Sequence, residues 1–340
     1  MKRIAIDVMG SDLGTEEVVR GATAVSMEPG NQIQMLLVGD AKRIHRSLMG
    51  QVYHPKFIEI VHAPDFVRQD EKPKPALQRD GLSINVAAEL VRSERADALV
   101  STGNTGAVIL SASRTFERIN GVRRVGFAAV LPTEKKRGRR KDPFALLMDV
   151  GATLHVESED LYNFALMGSI YASIVSSNEK PSVALLSNGT ESGKGPMEVV
   201  EAHSQLEQNR HDLNFIGNVE GLDIPRGSAD VIVCEGFLGN VVLKLLEGIT
   251  ELAADLAKEA YDSKLLWKLG LTMLSKDLQK LKRLTDWKQY GGAPILGFDK
   301  VVIKAHGRSN ARAIRNAIKL AAKVHQGRLI EKIQSKMEQL

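Results

Sequence analysis

The stretch ALVSTGNTGAV, residues 98–108, decides how the fold is read. An apolar run stops in Ser101-Thr102-Gly103-Asn104-Thr105-Gly106, and an Ala/Val/Ile/Leu-rich segment follows. A buried strand that ends in small residues and runs on into a helical pattern is a βα unit of a parallel sheet. Glycine lets backbone approach a ligand closely, and a strand-to-helix turn aims unpaired N–H groups at it. Thr102 and Thr105 add hydroxyls, and the helix from Gly106 adds the positive end of its dipole. The turn therefore suits an oxyanion or phosphate, with a plain N-capped turn as the equal alternative. It is neither GxGxxG nor GxxxxGK[ST], so the nucleotide fingerprints are absent.

The same rhythm runs the length of the chain. Strands are expected at Arg3–Met9, Ile33–Asp40, Phe57–His62, Ala98–Thr102, Val125–Pro132, Ala145–Val150, Ser182–Ser187, Asn214–Gly217, Asp230–Cys234 and Lys300–Ala305. Helical patterns fill Thr15–Met27, Leu82–Ser93, Gly106–Arg118, Glu159–Ser176, Pro196–Gln208, Asn240–Ala260 and Asn310–Leu340. Alternation of this kind predicts an α/β fold with a mainly parallel, doubly wound sheet and right-handed crossovers. The chain reads as one two-lobed catalytic domain, 1–340, with no repeat and no low-complexity linker.

With 340 residues, 43% hydrophobic and 26% charged, the chain can bury a large core under a soluble surface. Its single cysteine, Cys234, excludes a disulfide framework and suits a reducing compartment. No signal segment opens the sequence and no window is long enough to span a membrane, so a cytoplasmic location is expected. The net charge of +5 is modest. Basic residues cluster at 135–141 and again between Lys264 and Lys288, but no aromatics interleave with them, which argues against nucleic acid.

In parallel sheets ligands sit beyond the carboxyl ends of strands, near a switch in strand order. Polar, glycine-bearing segments follow six of the strands: Asp7–Gly10–Asp12, 101–106, Asp149–Gly151, Asn188–Glu191, Gly239–Asn240 and His306–Arg308. Their convergence on one edge is expected. In SNGTESGKGP, 187–196, Lys194 lies between two glycines and could neutralise an oxyanion, with an exposed loop lysine paired to Glu191 as the plainer reading. Asn240 could cap its helix or hydrogen-bond a substrate oxygen. No HExxH, Cys/His cluster or spaced carboxylate run calls for a metal, and no cofactor is indicated. No GxSxG serine is present, and Cys234 lies in an apolar run, so a covalent enzyme intermediate is not indicated.

Taken in order, IAIDVMGSDLGTEEVVRGA, ADALVSTGNTGA, LLMDVGA, LLSNGTESGKG, ADVIVCEGFLGNVVLKLLEG and YGGAPILGFDKVVIKAHGRSNARAI resemble the PlsX-type phosphate acyltransferases. The resemblance covers roughly residues 1–330. It implies transfer of a long acyl chain from acyl carrier protein to inorganic phosphate, giving an acyl phosphate for phospholipid synthesis. It also implies a fold similar to the isopropylmalate dehydrogenase and phosphotransacetylase group, and a homodimer. By resemblance Lys194 and Asn240 are the catalytic pair. Phosphate or substrate contacts then fall to Asp7, Gly10, Asp12, Thr102, Gly103, Asn104, Thr105, Gly106, Asp149, Asn188, Glu191, Gly239 and His306. The pattern is departed from at Leu13, where the family has histidine, and at Thr153, where it has asparagine.

Two surfaces are expected to meet partners. Residues 262–288 read as a protruding, basic amphipathic helical hairpin, for a dimer interface or a peripheral membrane contact. The 135–141 run could dock the acidic carrier protein. Leu13 and Thr153 leave a second reading open, a weakly catalytic dimeric scaffold at the membrane. A dinucleotide-dependent dehydrogenase on a related fold is a third, against which the missing fingerprint counts.

Overall fold

The structure, a computed structural model, describes residues 1–137, 142–211, 213–263 and 291–339. The expected 262–288 hairpin lies almost wholly outside these residues, as does the centre of the 135–141 basic run.

Apolar β-branched runs form the strands: β1 (Lys2–Asp7), β2 (Ile33–Gly39), β3 (Ile58–His62), β4 (Ala98–Ser101), β5 (Gly126–Arg137), β6 (Asp142–Met148), β7 (Ser182–Leu186), β8 (Asn214–Val219), β9 (Val231–Val233), β10 (Ala293–Leu296) and β11 (Val301–Lys304). The helices are α1 (Thr15–Ser26), α2 (Ala41–Leu48), α3 (Pro73–Ala76), α4 (Ser83–Arg92), α5 (Thr105–Thr115), α6 (Ser158–Ser176), α7 (Met197–Gln208), α8 (Asp223–Arg226), α9 (Gly236–Ser263), α10 (Ala311–Gln326) and α11 (Leu329–Met337). The strands make one sheet in the order β3-β2-β1-β4-β11-β10-β5-β6-β9-β7-β8. This is the expected α/β fold with a mostly parallel sheet.

One feature departs from expectation. β10 pairs antiparallel with both β11 and β5, and β5 pairs antiparallel with β6. The block β6, β9, β7 and β8 therefore runs opposite to β1–β4 and β11, and the two blocks end at opposite sheet edges. The polar strand ends do not converge on one edge; five of the six approach a common region from both, and the segment after β7 does not reach it.

The core explains where that region lies. Side chains alternate across each strand: Ile4 and Ile6 of β1 join one apolar cluster and Ala5 another. On the first face the cluster continues from α1 and α10 to α6 and α7. On the opposite face it is broken into a part beneath α4 and α5 and a part beneath α9, with Phe127 touching both. The gap between α5 and α9 is open.

The start of α9 is pressed onto the loop that follows β6. A methyl group added at Gly239 would lie 1.8 Å from the Asp149 carbonyl oxygen, and one at Gly236 would lie 2.4 Å from that of Thr153. Gly239, expected at the substrate, is thus required for close packing. Gly239→Ala should cost about 3 kcal/mol or more through overpacking, read as a lower midpoint in urea unfolding. An unchanged midpoint would mean that α9 can ride outward at no cost.

Candidate active site

Between α5 and α9 lies a cleft of about 460 Å³. Its first wall comes from strand ends of the first block: Asp12 after β1, Thr105 and Gly106 in the first turn of α5, and Lys304, Ala305, His306 and Gly307 at the end of β11. Its second wall is Gly151 after β6 together with Asn240, Leu243, Lys244 and Glu247 of α9. Ile109, Phe127, Ala129, Val130 and Val150 make an apolar floor.

The loops of the first wall hold one another. Gly307 accepts from Asp12 N at 2.9 Å and Ser11 Oγ at 3.2 Å. Gln69 Nε2 donates to the carbonyls of Gly10 at 2.7 Å and Thr102 at 3.0 Å, and Gln69 itself reaches the cleft. Asn104 caps α5, accepting from Ala107 N at 3.1 Å, while its Nδ2 donates to Gln69 O and Glu71 O. Gly10, with φ +75°, comes so close to Gly103 that an added methyl would sit 3.1 Å from its Cα. Asn104, Gly10 and Gly103 therefore shape the wall from behind. Thr102 is buried there too, its hydroxyl without a partner among the described residues.

Asp7 is likewise behind the wall. It accepts from Ser101 Oγ at 2.7 Å and Met9 N at 3.2 Å, and burial pushes its carboxyl above the usual range. Lys304 follows on the neighbouring strand end, 5% exposed, with burial lowering its ammonium to about 8. His306 is half-buried and its pKa is lowered by burial. Its Nδ1 accepts from Arg308 N at 3.1 Å, which leaves the ring proton on Nε2. Arg308, two residues on, faces Glu251 of α9 at 3.8 Å.

The second wall turns on Asp149. Its Oδ1 accepts from the N–H groups of Phe127, Gly151 and Ala152 at 2.9, 3.0 and 3.0 Å. Its Oδ2 accepts from Thr153 N at 2.8 Å and Thr153 Oγ1 at 2.9 Å. Thr153 Oγ1 in turn accepts from Gly236 N at 3.1 Å, at the start of α9. Asp149, expected at the substrate, is buried in these bonds and does not line the cleft. Thr153, read as a departure from the family, supplies the link from Asp149 to α9. Leu13 is 49% exposed and does not line the cleft, so the second departure lies outside its walls.

Asn240, expected to be catalytic, lines the cleft. Lys194, Glu191 and Asn188 do not. They lie in an exposed loop after β7, folded so tightly that a methyl on Gly189 would meet Glu191 and Lys194 at 2.9 Å. The Glu191 carbonyl anchors that loop, accepting from Lys194 N and from Asn218 Nδ2. Sequence reasoning passed over Gln69, Lys304, Lys244 and Glu247. The signal for Lys304 was present: a lysine closing the otherwise apolar run VVIK.

Among the described residues no cluster of three His, Cys, Asp or Glu could hold a metal ion, and no helix is long and apolar enough to cross a membrane. Cys234 is buried, and burial pushes its thiol well above its ordinary value, unlike a nucleophile.

Comparison with known proteins agrees with this architecture. A phosphotransacetylase from Streptococcus pyogenes superposes with a TM-score of 0.63 at 18% identity, covering 97% of this chain and 94% of that one. A branched-chain phosphotransacylase from Enterococcus faecalis gives 0.56 at 14% identity, covering 96% and 99%. The fold is thus shared with the phosphotransacetylases. The family model described as Fatty acid synthesis protein matches residues 2–332. The phosphate acyltransferase of Brevibacillus brevis is 40% identical over 337 residues, 99% of this chain and 97% of its own. That of Moorella thermoacetica is 42% identical over 328 residues, 96% and 93%. The chain belongs to the phosphate acyltransferase family and is an acyltransferase.

Thr153 tests the local account. Thr153→Val leaves buried groups of Asp149 and Gly236 without their partner and should cost about 1–3 kcal/mol in denaturant unfolding. Thr153→Ser, which keeps the hydroxyl, should lose less than half of that.

Proposed function

We propose that this enzyme moves a long acyl chain from acyl carrier protein to inorganic phosphate, releasing an acyl phosphate for phospholipid synthesis. One observation carries the reading: a single cleft joins a helix N-terminus and polar strand ends to an apolar floor. A phosphate and an acyl chain are substrates of opposite polarity, and this cleft offers each a surface.

The mechanism follows from what the residues can do. Phosphate sits at the first turn of α5, where the N–H groups of Thr105 and Gly106 and the helix dipole favour an anion. The acyl chain lies along Ile109, Phe127, Val130, Val150 and Leu243. Asn240, on the facing wall, donates its amide to the thioester carbonyl oxygen. A phosphate oxygen attacks that carbon, the C–O bond forms, the C–S bond breaks, and the carrier thiol leaves. Charge builds on the carbonyl oxygen in between, where a fixed donor lowers the barrier. Phosphate is itself the nucleophile, so no activated serine or cysteine is needed, and holding two substrates together supplies the remaining advantage. His306, its pKa lowered by burial, adds a neutral polar ring to the same wall. Lys194, on the exposed loop after β7, adds positive charge for the approaching acidic carrier or phosphate.

A homodimer is proposed as the working unit. On α9, Leu238, Val241, Leu245, Ile249, Leu252 and Leu256 recur at intervals of three and four and stand exposed. That spacing is the seam of a helix that packs against another. The seam lies upstream of the 262–288 segment to which sequence reading assigned the dimer and membrane contacts. Changing Leu245 and Leu252 together to Glu should halve the mass seen in sedimentation at micromolar concentration. An unaltered mass would remove α9 from the interface.

The function itself is tested by mixing long-chain acyl carrier protein with the enzyme and hydroxylamine. Release of free carrier that requires phosphate and yields hydroxamate is the expected result. Asn240→Ala and Lys194→Ala should each lower turnover, Asn240→Ala by roughly 100-fold as for loss of one oxyanion donor, with melting temperatures close to wild type. Release that ignores phosphate would overturn the reading.

A further inference from the structure

We propose that Lys304 is the buried cation that receives the phosphate, and that the first-wall end of the cleft is a dianion seat built around it. This rests on the phosphate acyltransferase reading above and names the group in that site which binds the anion.

An ammonium group has three donors. Among the described residues Lys304 Nζ makes one hydrogen bond, to the carbonyl of its neighbour Ala305, and no ion pair within 4 Å. Lys304 is nevertheless 5% exposed and lines the cleft. A buried lysine with unused donors is costly unless an acceptor completes it. Among the described residues no acceptor beyond the Ala305 carbonyl lies at bonding distance, so the remaining donors face the cleft contents.

The surroundings select an anion. Lys304 closes β11 opposite Ser101 of β4 in register, one residue before Thr102 and within the same turn as His306. Thr105 and Gly106, in the first turn of α5, line the same cleft. Asp7 lies behind it, fixed by Ser101 Oγ and Met9 N, and its field opposes loss of the Lys304 proton, as does that of Asp12. The other charged groups lining the cleft are Asp12 and, on α9, Lys244 and Glu247, which pair with each other at 2.7 Å; Arg308, outside the lining, faces Glu251. Those pairs leave Lys304 as the cation without a carboxylate partner in the cleft wall among the described residues. With a buried ammonium and the first turn of α5 on the same wall, the seat suits a tetrahedral oxyanion.

Burial lowers the Lys304 ammonium to about 8 while Asp7 and Asp12 hold it up. Its charge is full below that value and is lost as pH rises through it. Affinity for the phosphate dianion, corrected for phosphate's own titration near about pH 7, should therefore be level below about pH 8 and fall above it. His306, lowered by burial, and Cys234, raised by it, titrate elsewhere.

Lys304→Gln and Lys304→Met are the tests, with inorganic phosphate alone as the calorimetric probe and carrier release as the second readout. Expected is a rise of roughly 10- to 100-fold in both the phosphate dissociation constant and the phosphate KM, the worth of a hydrogen bond to a charged group. The KM for acyl carrier protein should stay within twofold, and the fall near pH 8 should vanish. Folded variants that bind phosphate as wild type does would overturn the proposal. Should neither variant fold, the wild-type profile decides: phosphate affinity flat from about pH 7 to 9 overturns it. Phosphate-dependent transfer with unchanged affinity in the variants would remove Lys304 and leave the function standing. Lys304-dependent phosphate binding without any acyl transfer would keep the seat and overturn the function.

Discussion

The carboxylate of Asp149 is the point on which the cleft depends. Five donors meet its two oxygens, from β5, from the loop after β6 and from Thr153. Burial pushes its pKa up, while the donors favour the charged form. Each hydrogen bond to a charged group contributes about 1.5–3 kcal/mol, so the loop has one arrangement far below any other. Thr153 carries that arrangement to Gly236, and two glycines let α9 lie directly on it. The direction of a 28-residue helix is set by its first turn. Asn240 at that end and Lys244 and Glu247 further along are placed by a residue outside the cleft lining.

The cleft follows from the broken core of one face. Had the two strand blocks run the same way, helices after each strand would tile both faces. With the second block inverted, α9 packs over β5 and β6 and does not tile beside α5. The apolar residues between the two helices then have no helix above them, and Phe127, touching both parts of the divided core, is left as floor. One wall carries strand ends and a helix N-terminus, and the other carries the side of a helix. Opposed polarities in one cavity come from topology before any single side chain is considered.

Much of this was legible in residue order. The runs ending at Asp7, Ser101, Met148 and Lys304 were readable as strands because apolar residues buried on both faces leave a nearly uninterrupted apolar signal. β10 escaped because APIL is four residues long and includes Pro294, which an edge or antiparallel position tolerates better than a central parallel one. α2 escaped because only Ile44 and Leu48 are buried on it, too few to establish a period. The inversion of the second block could not be read at all: pairing direction is set by partners distant in sequence. Roles were harder than places. Asn104 and Gly239 stood in the right segments but cap and pack, whereas Lys304 was hidden because a lysine closing a strand usually points to water.

The two departures from the family pattern now have physical weight. Histidine at position 13 would have been exposed, as Leu13 is, on a loop whose own bonds run through Ser11 and Asp12 to Gly307. Losing it takes nothing from the walls. Asparagine at position 153 could reach a carboxylate only through its amide, whereas a threonine hydroxyl donates to Asp149 and accepts from Gly236 through one atom. The anchor thus survives substitution because its requirement is a donor and an acceptor at one point, which a shorter side chain can meet. A cleft whose walls are fixed by backbone packing and one carboxylate tolerates change at its rim. Such change is constrained where a methyl would displace α9 or where a buried charge would lose its counterpart.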